Sequence, residues 1–152
     1  VKSLKRTYGF KVVVGGPGVW QLKGLEDEYG IDVLFEGEAE LTFPKVAKDI
    51  LDGEEVPRHV LGEPAPPSLV PPIVTPSRNG LIQVTRGCPR RCSFCSPTMF
   101  NFRSIPLETI LKEVEVNLRS GIRAVGLVTE DILLYGANGL RPNLSAIREL
   151  FD

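Results

Sequence analysis

Leu81-Ile82-Gln83-Val84-Thr85-Arg86-Gly87-Cys88-Pro89-Arg90-Arg91-Cys92-Ser93-Phe94-Cys95 is the stretch on which the reading of this chain turns. A short β-type run ends at a glycine that permits a sharp turn, and a C-x3-C-x2-C run follows. These three are the only cysteines among 152 residues. They sit just past the carboxyl end of a strand, where α/β proteins place ligands. Three thiolates are one short of a closed tetrahedral set, so a soft metal centre held by them keeps one position open for chemistry. Three readings compete at this point. A disulfide suits an odd count and very short loops worst. A zinc site would need His59, the only histidine, as its fourth ligand, and His59 lies far upstream among prolines. An iron–sulfur cluster with an open iron is the third, and spacing alone does not choose between them.

The downstream sequence supplies the frame. Ser104-Ile105-Pro106 predicts a helix start, with a hydroxyl cap and an early proline whose missing N–H costs little there. Leu107, Ile110, Leu111, Val114 and Leu118 repeat at helical spacing, and Gly121 closes that helix. Ile122 to Val128 reads as the next strand and ends in Thr129-Glu130-Asp131. A second helix is predicted from about Pro142-Asn143. Strand, cysteine loop, helix, strand and helix make the opening of a parallel β/α barrel or open sheet.

Cys88-x3-Cys92-x-Phe94-Cys95 after a strand, preceded by Thr85-Arg86-Gly87, resembles the signature of the radical S-adenosylmethionine (SAM) superfamily. The likeness covers roughly Gly80 to Tyr135. It implies a partial β/α barrel whose three cysteines hold a 4Fe–4S cluster, with SAM on the open iron through its amino and carboxylate groups. One electron from the cluster then cleaves SAM to methionine and a 5′-deoxyadenosyl radical. By position the resemblance makes Cys88, Cys92 and Cys95 the iron ligands and sets Phe94 beside the adenine. The family's Gly-Gly-Glu-like motif corresponds to Val128-Thr129-Glu130-Asp131, which lacks the paired glycines. Glu130 is the expected acceptor of the SAM ammonium, with Asp131 second, against the plain alternative that both acids cap a solvated turn. Arg86, Arg90, Arg91 and Arg103 cluster around the cysteines without an acid among them. They suit an anionic cluster or the SAM carboxylate, and suit a solvated loop equally.

The first half of the chain alternates again. Lys11 to Val14 reads as a strand running into Gly15-Gly16-Pro17-Gly18. Glu26 to Tyr29 is helix-like, Ile31 to Phe35 is a strand, and Leu41, Val46, Ile50 and Leu51 mark a helix that ends at Gly53. A Gly-Gly-Pro turn alone is most simply a tight turn. Together with Glu36-Gly37-Glu38 and the proline-rich stretch that follows, it resembles the cobalamin-binding class of radical SAM enzymes. That likeness implies Gly15 and Gly16 against the nucleotide tail of cobalamin, their bare backbone permitting close approach. Phe35 stands where the class's Gly-Glu-Gly-Glu motif has its first glycine, and no Asp-x-His-x-x-Gly motif occurs.

The expected fold class is therefore α/β: part of a Rossmann-like domain of cobalamin-binding type over 1–54, a linker over 55–79, and the first β/α units of a radical SAM core over 80–152. Pro57, Pro64, Pro66, Pro67, Pro71, Pro72 and Pro76 exclude helix from the linker, and interspersed apolar residues predict that it packs rather than floats. The whole is expected to be an internal piece of a protein about three times longer.

A formal charge of −1 gives no bulk electrostatic case for nucleic acid. No apolar run approaches the roughly 18 residues that a membrane span needs. Reduced cysteines and an oxygen-sensitive cluster predict a cytoplasmic enzyme working with an electron donor such as a ferredoxin or flavodoxin. Its expected reaction begins with reductive cleavage of SAM and leads, by resemblance, to cobalamin-dependent methyl transfer. A radical SAM methylthiotransferase acting on RNA or a ribosomal protein is the enzymatic alternative, because Ser104 to Tyr135 resembles those enzymes too. They carry further cysteines upstream, where Gly15-Gly16 stands here. A zinc-bearing binding module is the non-enzymatic alternative.

Overall fold

The computed structural model describes residues 1–95 and 101–152, and the chain divides into two units, Val1–Ala65 and Pro66–Asp152.

The first unit begins with helix α1 (Lys2–Tyr8), which ends at Gly9 in a left-handed conformation. A three-stranded parallel sheet follows in the order β1 (Val13–Gly15), β2 (Val33–Gly37), β3 (His59–Gly62). Val13 is level with Val33 and Leu34 with His59. Helix α2 (Glu26–Tyr29) lies between the first two strands in sequence and α3 (Phe43–Leu51) between the last two. Val33, Leu34 and Phe35 are all buried, as expected of a strand covered on both faces. Leu34 packs with Val19 and Ile31, and Phe35 meets Phe43 edge to face at 5.6 Å between ring centres.

The proline-rich stretch departs from the expected connector. Between Pro57 and Pro64 six residues are free of proline, enough for an extended run whose N–H groups can join a ladder, and four of them form β3. Chain separation falls at Ala65–Pro66, inside the expected 55–79 linker. The remainder of that stretch is fastened to the second unit by one helix, α4 (Leu107–Arg119). Glu113 Oε1 accepts the Ile73 N–H at 3.2 Å. Asn117 Oδ1 accepts both the N–H (3.0 Å) and the hydroxyl (3.2 Å) of Ser77. Segments rich in proline cannot satisfy their own backbone, so side chains one helical turn apart do it for them.

In the second unit β4 (Leu81–Gln83) pairs in parallel with β7 (Gly126–Val128), with α4 between them in sequence. Ile82, Val84, Ile105, Ile110 and Tyr135 form its core. The Val84 N–H donates to the Val128 carbonyl, while the Val84 carbonyl accepts from Ile105 N–H. The chain thus changes partner at Val84, and β5 (Thr85–Arg86) pairs antiparallel with β6 (Arg103–Ser104), a ribbon that the sequence pattern does not announce. Helix α5 (Leu144–Phe151) closes the described chain, its start capped by Asn143 accepting the Ala146 N–H at 3.2 Å. One cap differs from expectation. Pro106, not Ser104, precedes α4, and the Ser104 hydroxyl instead accepts the Gly136 N–H at 2.8 Å.

Candidate functional site

The β5–β6 ribbon pins Thr85 opposite Ser104 and Arg86 opposite Arg103, so the cysteine loop leaves and rejoins the unit at one point. Gly87, with φ of 80°, makes the exit turn that an L side chain would strain. Arg91 is also left-handed, at φ 49°, between Cys88 and Cys92. The three cysteines are free: Cys88 and Cys92 are half-buried and Cys95 is exposed. A turn joins the last two, Cys95 N–H donating to the Cys92 carbonyl at 3.0 Å. Phe94 projects into solvent with 91% of its surface exposed.

The donor set suits a soft iron centre: three reduced thiols on one loop, none committed to a disulfide. Among the described residues, no three His, Cys, Asp or Glu side chains are gathered tightly enough to cage a metal ion. Bringing three thiolates together with no cation between them is costly, so metal binding and ligand convergence go together.

The end of β7 lies beside this loop and treats its two acids differently. Glu130 is exposed and makes no hydrogen bond or ion pair among the described residues. Asp131 is committed on both oxygens. Oδ1 accepts the Leu133 N–H at 3.1 Å, capping a short 3-10 turn over Ile132–Leu134. Oδ2 accepts from Arg90, Nε at 2.6 Å and Nη2 at 2.5 Å. The Asp131 N–H donates to Thr129 Oγ1 at 3.1 Å, and that hydroxyl pairs with Thr85 Oγ1 at 2.6 Å. Neither the threonine pair nor the Arg90–Asp131 pair is legible in the sequence, since each joins residues more than 40 positions apart. Of the other arginines, Arg86 is buried and donates to Gln83 Oε1 through Nε (3.2 Å) and Nη2 (2.9 Å), a structural task.

The landmarks of the first unit are occupied by the fold. A methyl group on Gly15 would meet the Phe35 carbonyl oxygen at 3.2 Å, so the bare backbone serves strand packing. Gly16 has φ of 97° with open space around it, a turn that demands glycine for its conformation. Glu36 pairs with Lys23 at 2.5 Å, and buried Glu38 accepts the Ala65 N–H at 3.1 Å. His59 belongs to β3, where its Nε2 pairs with Glu26 Oε1 at 2.5 Å. Nε2 of His59 is thus engaged, and His59 is a sheet residue rather than a linker residue. Clefts of about 510 and 300 Å³ in this unit are lined by such paired charges, among them Asp32 with Lys5 and Glu36 with Lys23.

No helix among the described residues is long and apolar enough to cross a membrane.

Residues 82–150 match the family model described as the radical SAM superfamily. The ribosomal protein uS12 methylthiotransferase RimO of Prosthecochloris aestuarii is 36% identical over 66 residues, which cover 42% of this chain and 15% of the relative. The protein of the same description from Thermodesulfovibrio yellowstonii is 46% identical over 65 residues, or 41% of this chain and 15% of the relative. The match thus spans only about 15% of the length of these curated relatives. No solved structure matches.

Proposed function

We propose, from the match of residues 82–150 to the radical SAM superfamily model, that the second unit holds a 4Fe–4S cluster through Cys88, Cys92 and Cys95, and that the protein starts its reaction by cleaving SAM reductively. The observation that carries this is the free cysteine triad on a loop pinned at its base by β5–β6. When bound, the cluster supplies the single electron for that cleavage. The protein's own residues divide the remaining work. Cys88, Cys92 and Cys95 would hold the cluster as thiolates. Glu130, unpaired among the described residues at the end of β7, would accept the SAM ammonium, a charge-assisted bond that an already committed carboxylate would make poorly. Phe94 would offer its solvent-exposed ring to the adenine. Arg90 and Asp131 pair with each other beside these groups. A cytoplasmic setting and a ferredoxin- or flavodoxin-type donor complete the proposal.

Two outcomes of the reaction are weighed. Methylthio transfer is favoured by the relatives at 36% and 46% identity. The first 87 residues of this chain contain no cysteine, so the ligands of a second cluster would have to come from elsewhere in the whole protein. Cobalamin-dependent methyl transfer rests on the resemblance of the first unit. Gly16 and Glu38 have full structural explanations there, so they add nothing for a corrinoid and no step is routed through one.

Anaerobic reconstitution with iron and sulfide tests the proposal. The wild-type protein is expected to take up about four irons per chain, and Cys92→Ala to lose the brown chromophore and SAM cleavage together. A colourless protein that retains one zinc would overturn the reading in favour of a binding module. In the whole protein, about eight irons would mark the methylthiotransferase branch, and a bound corrinoid the other.

A further inference from the structure

The hydrogen bonds around the cysteine loop close into a ring. Starting at Thr85, immediately before the loop, the path runs through the Thr85–Thr129 hydroxyl pair (2.6 Å) and the Asp131 N–H on Thr129 Oγ1 (3.1 Å). It then passes from Asp131 Oδ2 to the Arg90 guanidinium (2.6 and 2.5 Å) and returns along the backbone past Cys88 to Thr85. Cys88 therefore lies inside a closed circuit that starts on the strand before it and ends two residues beyond it. The Arg90 end is half-exposed and the Asp131 end is 17% exposed. A pair so placed adds little to global stability, yet it fixes where the segment between Cys88 and Cys92 runs.

We infer that Arg90 and Asp131 form a positioning clamp that presets the Cys88–Cys92 segment for cluster loading, and that Asp131 is thereby withheld from SAM. The inference rests on the cluster reading above but is measurable without it, because the clamp acts on the loop before any iron is present.

The first readout is the rate at which Cys88 and Cys92 react with iodoacetamide in the iron-free full-length protein. Arg90→Ala and Asp131→Asn should each accelerate labelling about three- to fivefold, the shift that a partly shielded ion pair supports. The double variant should show the same acceleration as either single one, because one interaction is removed in all three. Arg90→Lys should recover part of the protection. The thermal midpoint should stay at the wild-type value, which separates positioning from general loss of structure. The second readout is iron retained after reconstitution and gel filtration, expected to fall in parallel across the same variants.

Wild-type labelling and iron retention in both single variants would overturn the clamp. So would additive effects in the double variant. An Asp131→Asn protein that loads iron normally but loses the SAM-induced change in the cluster's electron paramagnetic resonance, while Arg90→Ala keeps it, would place Asp131 on SAM and refute the inference. If the wild type takes up no iron while the labelling pattern appears as expected, the cluster reading fails and the clamp stands.

Discussion

In residues 1–65 the side chains that suggested a cofactor are all employed by the fold, whereas among the described residues of 66–152 the three thiols, Phe94 and Glu130 are not. Glu36, Glu38 and His59 each have a partner, and Gly15 and Gly16 answer packing and backbone demands. Across the cysteine loop, the three thiols are free, Phe94 is bare to solvent and Glu130 is unpaired among the described residues. A fold spends most of its polar groups on itself, because buried unsatisfied groups are costly. Reactive or charged side chains left without structural work, close together on a loop anchored by a rigid base, are therefore the better pointer to chemistry. Asp131 shows the converse: it resembles its neighbour Glu130 in the sequence, yet both its oxygens are in use.

The contrast can be broken most forcefully at Gly62. A methyl group there would lie 2.0 Å from the Glu38 carbonyl oxygen and 2.8 Å from the Phe35 ring. Backbone must shift to admit it, so Gly62→Ala should cost about 3 kcal/mol or more in denaturant unfolding. A near-neutral result would mean that Gly62 does not pack against Glu38 and Phe35 as closely as the structure has it.

Asp32 gives the next largest effect. Burial opposes its charge, but Lys5 at 2.6 Å and the Val12 N–H at 2.8 Å outweigh it and hold the carboxyl below its ordinary range. Because the folded value is the lower one, this stabilisation is present above the ordinary aspartate pKa and disappears as pH falls through the folded value. Asp32→Asn should cost about 1 kcal/mol at pH 7, and the gap to wild type should close on acidification. A gap that is independent of pH would remove the charge from the explanation.

Glu113 sharpens the comparison from the other side. Burial raises its carboxyl, opposed by the Ile73 N–H. A raised folded value stabilises below the ordinary glutamate pKa, and that contribution is lost as pH rises through the folded value. Glu113→Gln keeps the acceptor for Ile73 and removes the charge. It should therefore be neutral or more stable by about 0.5 kcal/mol at pH 7, with the difference vanishing in acid, whereas Glu113→Ala should destabilise. Thermal melts of the three proteins at pH 4 and pH 7 check this, and equal losses in both variants would contradict it.

Much of the architecture was readable locally. Alternating apolar runs located β2, α3 and α4 within two residues or so, because periodicity is a property of neighbours along the chain. The strand at His59–Gly62 was hidden by the prolines around it, whose density reads as a connector although the six residues between Pro57 and Pro64 are free to pair. The β5–β6 ribbon was hidden by its length, two residues on each side, which carries no periodicity at all. At the site, the cysteines were obvious from spacing, but the choice between Glu130 and Asp131 was not, since adjacent acids on a turn look alike until their neighbours are known.

By itself, then, the sequence determined the donor set: three thiols at fixed spacing, an aromatic beside the last, acids after the following strand, and an alternation of strands and helices to carry them. Covalent spacing and side-chain chemistry settle those matters without a fold. Only the tertiary structure decided which groups remain available. The parallel pairing of β4 with β7 brings residues 85–90 beside residues 129–131, and there Arg90 takes Asp131 and leaves Glu130 unpaired among the described residues. Partners separated by some forty residues meet only through strand register, and register is set by the packed core rather than by any local run of residues.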